Sequence, residues 1–263
     1  MRRLEKSDYS DNFVLKGGLF IYSLTEFDSR VTVDIDFLLK SLPNTPEQLR
    51  AILERIISVD TGNEFITFEI TSVLPISVAK KYAGISASLV AHIKNTRTPF
   101  SIDFGVGDVI VPKQEKRKIP TQLNDFSSPM INTYSLETTI AEKIDAILSL
   151  MEFSSRMKDY YDIYYLANKF DFDGKILVDA LKRTFANREH NFTVEQFEQV
   201  MSFDADDLMQ RKWKAFIKKI DAKTDDFSKV INTIDDFLRF PIETALNGTN
   251  FLMQWKASSN IWE

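Results

Sequence analysis

Asp34 and Asp36, with Arg30 and Thr32 continuing the same every-other-residue spacing, are the side chains of this sequence whose type and placement most directly suggest chemistry. Alternate residues of an extended strand share a face. The spacing therefore predicts two carboxylates side by side with a guanidinium and a hydroxyl beneath them, and Val31, Val33, Ile35 and Phe37 on the opposite, apolar face. Neighbouring carboxylates repel. A hard divalent cation such as Mg²⁺ relieves that repulsion and completes its shell with oxygens from a substrate phosphate. The same alternation also describes an ordinary edge strand with one wet face. Upstream, Gly17-Gly18 closes the short apolar run Phe13-Val14-Leu15 and opens a second one, Leu19 to Leu24. This is a predicted strand-to-helix turn, where glycines let a phosphate approach N–H groups that have no intrahelical partner. The positive end of the helix dipole favours the anion. A phosphate cradle close to a carboxylate pair predicts nucleoside triphosphate chemistry.

Further acids and cations lie downstream. Asp103 is the one acid in the strand-like Phe100–Phe104 segment, just before Gly105-Val106-Gly107-Asp108, which reads as a turn. Lys143 falls at the margin of an apolar helix face, where a lysine commonly snorkels. Asp159 and Asp162, three apart, share a helix face and are able to pair with Lys143 or Arg156. Tyr160, Tyr161, Tyr164 and Tyr165 interleave with them and read as core and interface aromatics rather than base-stacking platforms. The two histidines, His92 and His190, read as structural or surface residues, which leaves a histidine-centred triad or metal site with little support.

The elements that must position these groups change character along the chain. Thr45-Pro46-Glu47-Gln48 is a helix start, with Thr45 as cap and Leu49, Ile52, Leu53, Ile56 and Ile57 on the buried face of a helix to about Ser58. Glu64–Ser72, Ile85–Ile93 and Phe100–Phe104 are strand-like, with turns predicted around Pro75 and Thr98-Pro99. Lys113–Lys118 reads as an exposed basic loop. From Ser135 onward the period is helical: a helix capped by Ser135, a capping box at Thr193–Gln196, a basic helix over Leu208–Ile220, and a last helix over Asp225–Phe240, with Pro241 and Gly248 punctuating the tail. The basic helix suits either a solvated face or an RNA backbone. The expected architecture is an α/β core with a mixed sheet over residues 1–125 and a mostly helical domain over residues 126–263.

At 263 residues the chain is long enough for either one or two cores. With no cysteine it has no thiolate chemistry, disulfide or cysteine-type zinc site. A net charge of −5 argues against a protein that coats nucleic acid non-specifically, while allowing a local basic groove. No apolar run approaches the roughly 20 residues that span a bilayer, and no signal segment is seen. The expectation is a cytoplasmic protein without a membrane partner.

The motifs together resemble a known family. Lys16-Gly17-Gly18, followed by Arg30-x-Thr32-x-Asp34-Ile35-Asp36-Phe37, is similar to the signature of the DNA polymerase β-like nucleotidyltransferase superfamily, and closest to its AbiEii/AbiGii toxin branch. Leu136–Lys143 resembles that branch's E-x-x-x-A-E-K helix, and Arg156–Ile163 its R-x-K-D-x-x-D-[IL] motif. Fifteen residues separate Gly18 from Asp34, slightly more than is usual there, and Glu26–Ser29 read as the extra loop. The resemblance implies a nucleotidyltransferase core whose active site is completed by the C-terminal domain. It implies Mg²⁺ or Mn²⁺ held by Asp34, Asp36 and Asp103, with Asp103 supplied from the adjacent strand. It implies a nucleoside triphosphate substrate bound by Gly17, Gly18, Arg30, Thr32, Lys143 and Asp162, and catalysis by Asp34, Asp36, Lys143 and Asp159. The implied acceptor is RNA, foremost the 3′ end of tRNA, and a cognate antitoxin is the implied partner. Transfer to a small molecule or a protein hydroxyl, and a catalytically silent binding domain, are the alternatives.

Overall fold

The structure, a computed structural model, describes residues 1–62, 65–76, 84–153, 155–222, 226–248 and 250–263. The chain divides into two compact units, Met1–Asp108 with Gln114–Tyr134, and Val109–Lys113 with Ser135–Glu263.

The first unit begins with a short helix, α1 (Arg2–Glu5), followed by β1 (Phe13–Lys16), α2 (Gly17–Leu24), β2 (Ile35–Leu39) and α3 (Pro46–Ile57). Then come β3 (Ile66–Pro75), β4 (Ile85–Ile93), β5 (Thr96–Val106), β6 (Glu115–Lys118) and β7 (Met130–Thr133). They make a seven-stranded mixed sheet in the order β3-β4-β5-β2-β1-β7-β6. The two central pairings are of different kinds: β1 runs antiparallel to β2, and β2 runs parallel to β5. Phe13, Phe37 and Phe104, one from each of these strands, meet edge-on or stacked within about 6 Å and are buried. Helix α3 starts where the sequence predicts, with Thr45 accepting from the Gln48 N–H, and buries Leu49, Ile52, Leu53 and Ile56.

Four expectations are corrected here. Residues 30–34 are not strand: β2 begins at Ile35, and Val31 and Val33 are 68% and 87% exposed instead of facing a core. The reason is pairing. The ladder to β1 runs only from Asp36 to Leu39 and that to β5 only from Ile35, so the preceding residues have no strand beside them. Thr98-Pro99 is not a turn but lies inside β5, and the chain reverses at Lys94-Asn95 instead. Since β2 pairs only from Ile102 onward, the proline sits where one edge of β5 lacks a ladder partner, and its missing N–H goes unnoticed. The basic Glu115–Lys118 segment is an edge strand against β7, not a loop; charged side chains suit an edge. In the predicted strand Glu64–Ser72, Glu64 lies outside the described residues.

The second unit holds α4 (Leu136–Leu150), α5 (Met157–Lys169), β8 (Phe172–Asp173), α6 (Gly174–Asn187), α7 (Val194–Met201), α8 (Asp207–Ile220), α9 (Phe227–Asn247), β9 (Gln254–Lys256) and β10 (Ile261–Trp262). The last two strands and β8 form a small three-stranded sheet. Ser135 caps α4 by accepting from the Thr138 N–H, and the predicted capping box at Thr193 is complete. Of the predicted helix Asp225–Phe240, Asp225 lies outside the described residues. The fourth correction concerns Pro241, which does not end that helix: α9 runs through it to Asn247, and Gly248 in the left-handed region terminates it. Proline removes the N–H that would have bonded the Phe237 carbonyl. The Trp262 indole N–H donates to that carbonyl at 3.1 Å instead, so a distant residue satisfies the group.

Candidate active site

In the first unit the glycine turn and the acidic pair are drawn together by the β1–β2 ladder. Lys16, the last residue of β1, is opposite Asp36, and the chain turns directly into α2 through Gly17. Gly17 has φ +69°, in the left-handed region, and a Cβ added there would collide with Asp36 Oδ2. A Cβ at Gly18 would lie 3.0 Å from Thr32 Oγ1 and 3.4 Å from an Arg30 guanidinium nitrogen. Gly17, Gly18, Arg30, Thr32 and Asp36 thus form one cluster around the first turn of α2. An alanine at position 17 is expected to reduce stability by about 1–2 kcal/mol through its backbone conformation alone and to displace the Asp36 carboxylate. Urea unfolding, together with a nucleotidyl-transfer assay of the same variant, checks both effects.

Asp36 and Asp103 are register partners on parallel strands and so lie side by side on one face of the sheet. Asp34 stands exposed just ahead of β2, its N–H donating to Thr32 Oγ1 at 3.2 Å. Among the described residues no group of three acidic or histidine side chains draws close enough to cage a metal. Magnesium does not demand a cage: it is commonly held by one or two carboxylates, with waters and substrate phosphate oxygens filling its octahedron. The adjacent pair Asp36 and Asp103 fits that requirement.

Two participants in this cluster escaped the sequence reading. Lys16 Nζ lies 2.8 Å from Asp108 Oδ2 and 4.7 Å from the centre of the Tyr134 ring, and the Tyr134 hydroxyl is 3.5 Å from the same carboxylate oxygen. The signal was present: Lys16 ends an otherwise apolar strand, and Asp108 follows Gly107, which has φ +83°.

In the second unit, Lys143 is buried and clasped by two acids from α5. Its Nζ is 3.0 Å from Asp159 Oδ1 and 2.6 Å from Asp162 Oδ2, and Arg156 Nε is 2.5 Å from Asp159 Oδ2. The lysine does not snorkel. Helix spacing explains the clasp, since Asp159 and Asp162 are one turn apart on α5 and both reach the same ammonium. Burial pushes the Asp159 carboxyl up, but the charges and hydrogen bonds of Lys143 and Arg156 outweigh it and hold the group below its ordinary range. The unfolded chain therefore binds this proton more readily, with an aspartate pKa of about 3.9. The stabilisation is fully present above that value and is lost as pH falls through the lower folded value. An acid titration followed by circular dichroism is expected to show stability falling below about pH 4, with Asp159→Asn flattening that limb.

Tyr160 and Tyr161 are buried, as their core reading requires. Neither histidine belongs to these clusters: His92 pairs with Glu69 at 3.2 Å, and His190 Nδ1 lies 2.8 Å from Asp145 Oδ1. Ser149 Oγ lies 3.3 Å from the same Nδ1, so although Ser149, His190 and Asp145 match a hydrolytic triad in composition, the serine and the acid do not occupy opposite ring nitrogens as a relay needs. On α8, Arg211, Lys214, Lys218 and Lys219 are exposed, as on a solvated face, while Trp213 is buried. Among the described residues no helix is long and apolar enough to cross a membrane.

The family profile described as "Nucleotidyl transferase AbiEii toxin, Type IV TA system" matches residues 1–239. The chain belongs to this family. The match covers the glycine turn, the carboxylate pair and the Lys143 clasp alike. Among solved structures, JHP933 from Helicobacter pylori aligns at a TM-score of 0.51 with 14% identity, covering 94% of this chain and 87% of that one. A candidate nucleotidyltransferase from H. pylori aligns at a TM-score of 0.48 with 13% identity, covering 94% and 90% of the two chains. At such identity the likeness to JHP933 shows a shared fold alone. No functionally curated protein matches. Membership makes this a chain of a nucleotidyltransferase toxin family and implies a nucleotide substrate and a cognate antitoxin.

Proposed function

We propose that this protein transfers a nucleoside monophosphate from a triphosphate to the 3′ end of an RNA, tRNA foremost, in a reaction that depends on Mg²⁺ or Mn²⁺. One observation carries the reading: in a member of this toxin family, the paired carboxylates Asp36 and Asp103 stand at the glycine start of α2. Asp34, Asp36 and Asp103 would hold the metal. Bound there, it would orient the triphosphate, make the attacking hydroxyl more acidic and stabilise the departing pyrophosphate.

The protein's own groups do the remainder. Gly17 and Gly18 leave the first-turn N–H groups of α2 unshielded by any side chain of their own, so phosphate oxygens have room to accept from them. Arg30 and Thr32, against Gly18, supply a cation and a hydroxyl donor to the same oxygens. Lys143 is proposed to serve the reaction as a fixed point charge, oriented by Asp159 and Asp162. Held below its usual range by two cations, Asp159 is a weak proton acceptor, which favours orientation over general-base work.

The acceptor is tested with tRNA whose terminal ribose has been oxidised by periodate. Label from an α-labelled triphosphate is expected on intact tRNA and not on the oxidised form. Equal labelling of both would exclude the 3′ hydroxyl, and labelling of protein or small molecules alone would assign a different acceptor.

A further inference from the structure

The sheet of the first unit has a second concave feature, on the face away from the carboxylates. Ile35 and Phe37 of β2 and Ile102 and Phe104 of β5 alternate with Asp36 and Asp103, so they point to the other side. There, beneath α3, they line a cavity of about 330 Å³. Its volume exceeds the voids of a close-packed interior and lies at the lower end of the range for small-molecule sites. Ile35 and Ile102 remain half-buried, so the cavity is reached from solvent.

Polar groups in its lining are few, and the charged ones are both cations, Arg2 and Arg3 of α1. The Arg3 guanidinium is engaged, donating to the carbonyls of Ile57 and Ile66. The Arg2 guanidinium carbon lies 4.1 Å from the centre of the Phe126 ring, and among the described residues no acidic side chain pairs with it. An apolar chamber rimmed by a cation without a carboxylate partner complements a molecule that is apolar at one end and anionic at the other. A nucleotide does not suit it, because the interior offers almost nothing to a base or a ribose.

We infer that this cavity binds a small amphipathic anion. At roughly 30 Å³ for each water-sized group, it holds a single tail of about ten carbons, which is too little room for a two-chain lipid. The carboxylate-type head group would sit at Arg2. This site is independent of the proposed nucleotidyl transfer, so its failure leaves that reading standing, and the reverse holds.

The test is calorimetric titration of the full chain with decanoate, below its aggregation concentration, beside decanol as the uncharged tail. Saturable one-site binding of decanoate is expected. Arg2→Gln, at the rim, is expected to weaken decanoate about tenfold, the loss of a charge-assisted contact, and to leave decanol unchanged. Ile56→Trp, which fills the chamber, is expected to abolish both, with a melting curve confirming that the variant folds; should it not fold, the Arg2→Gln comparison decides alone. No saturable binding of decanoate by the wild type overturns the inference. So does decanoate binding that a folded Ile56→Trp leaves intact, or an Arg2→Gln that affects the two probes equally.

Discussion

Asp36→Ala is expected to lower nucleotidyl transfer by at least about 100-fold, because a metal-binding carboxylate supports several kcal/mol of transition-state stabilisation. The fold should survive. Asp36 is only partly buried, is the register partner of another acid, and lies against the α-carbon of Gly17, so its removal relieves repulsion and opens no apolar cavity. The melting temperature is therefore expected to stay at or slightly above that of the wild type. Activity and melting measured on one preparation separate this outcome from simple unfolding. Wild-type transfer by a folded Asp36→Ala would move the chemistry to another part of the chain.

Lys143→Met is expected to act in the opposite way, mainly on stability. Asp159 and Asp162 have side chains only 1% and 2% exposed, and this lysine sits between them. Removing it leaves two like charges in a poorly solvated place with only Arg156, itself 45% exposed, to offset them. Breaking a buried charge cluster by deleting one partner typically costs about 3–5 kcal/mol, which corresponds to a fall in melting temperature on the order of 10 °C. Replacing Asp159 and Asp162 by leucine in the same variant should recover most of the loss, since a buried ionic cluster is often no more stable than an apolar one of similar volume. Thermal unfolding of the single and triple variants tests this. A single variant that melts with the wild type would mean the clasp contributes nothing to the fold. Loss of transfer in Lys143→Met is informative about phosphate only when measured well below its melting temperature.

These two sites were legible in the sequence to different degrees, and the reason is physical. Spacing within one element was readable: the cap at Thr45, the capping box at Thr193 and the acids one turn apart on α5 all depend on residues a few positions away. Groups joined by strand pairing were readable only in part. The Arg30–Phe37 alternation marks a strand from Ile35 onward, but a pattern of side chains does not say where a neighbouring strand ends, and residues 30–34 have none. The same limit applies to Pro99, which is tolerated in β5 because of what lies beside it, and to Pro241, whose missing bond is replaced by Trp262 from the far end of the chain. The Lys16–Asp108 ion pair joins residues 92 apart, and nothing local to either announces the other. Burial of Lys143 was obscured for a similar reason: a lysine at the edge of an apolar face snorkels unless acids meet it, and those acids lie on a different helix.

The central claim is tested most directly by incubating the purified chain with Mg²⁺, each of the four α-labelled nucleoside triphosphates in turn and total tRNA, beside Asp36→Ala and beside wild type with the metal chelated. Label moving onto RNA with wild type and Mg²⁺, and in neither control, is the predicted result, and it names the nucleotide at once. Label moving equally well with Asp36→Ala or with the metal removed would contradict the account.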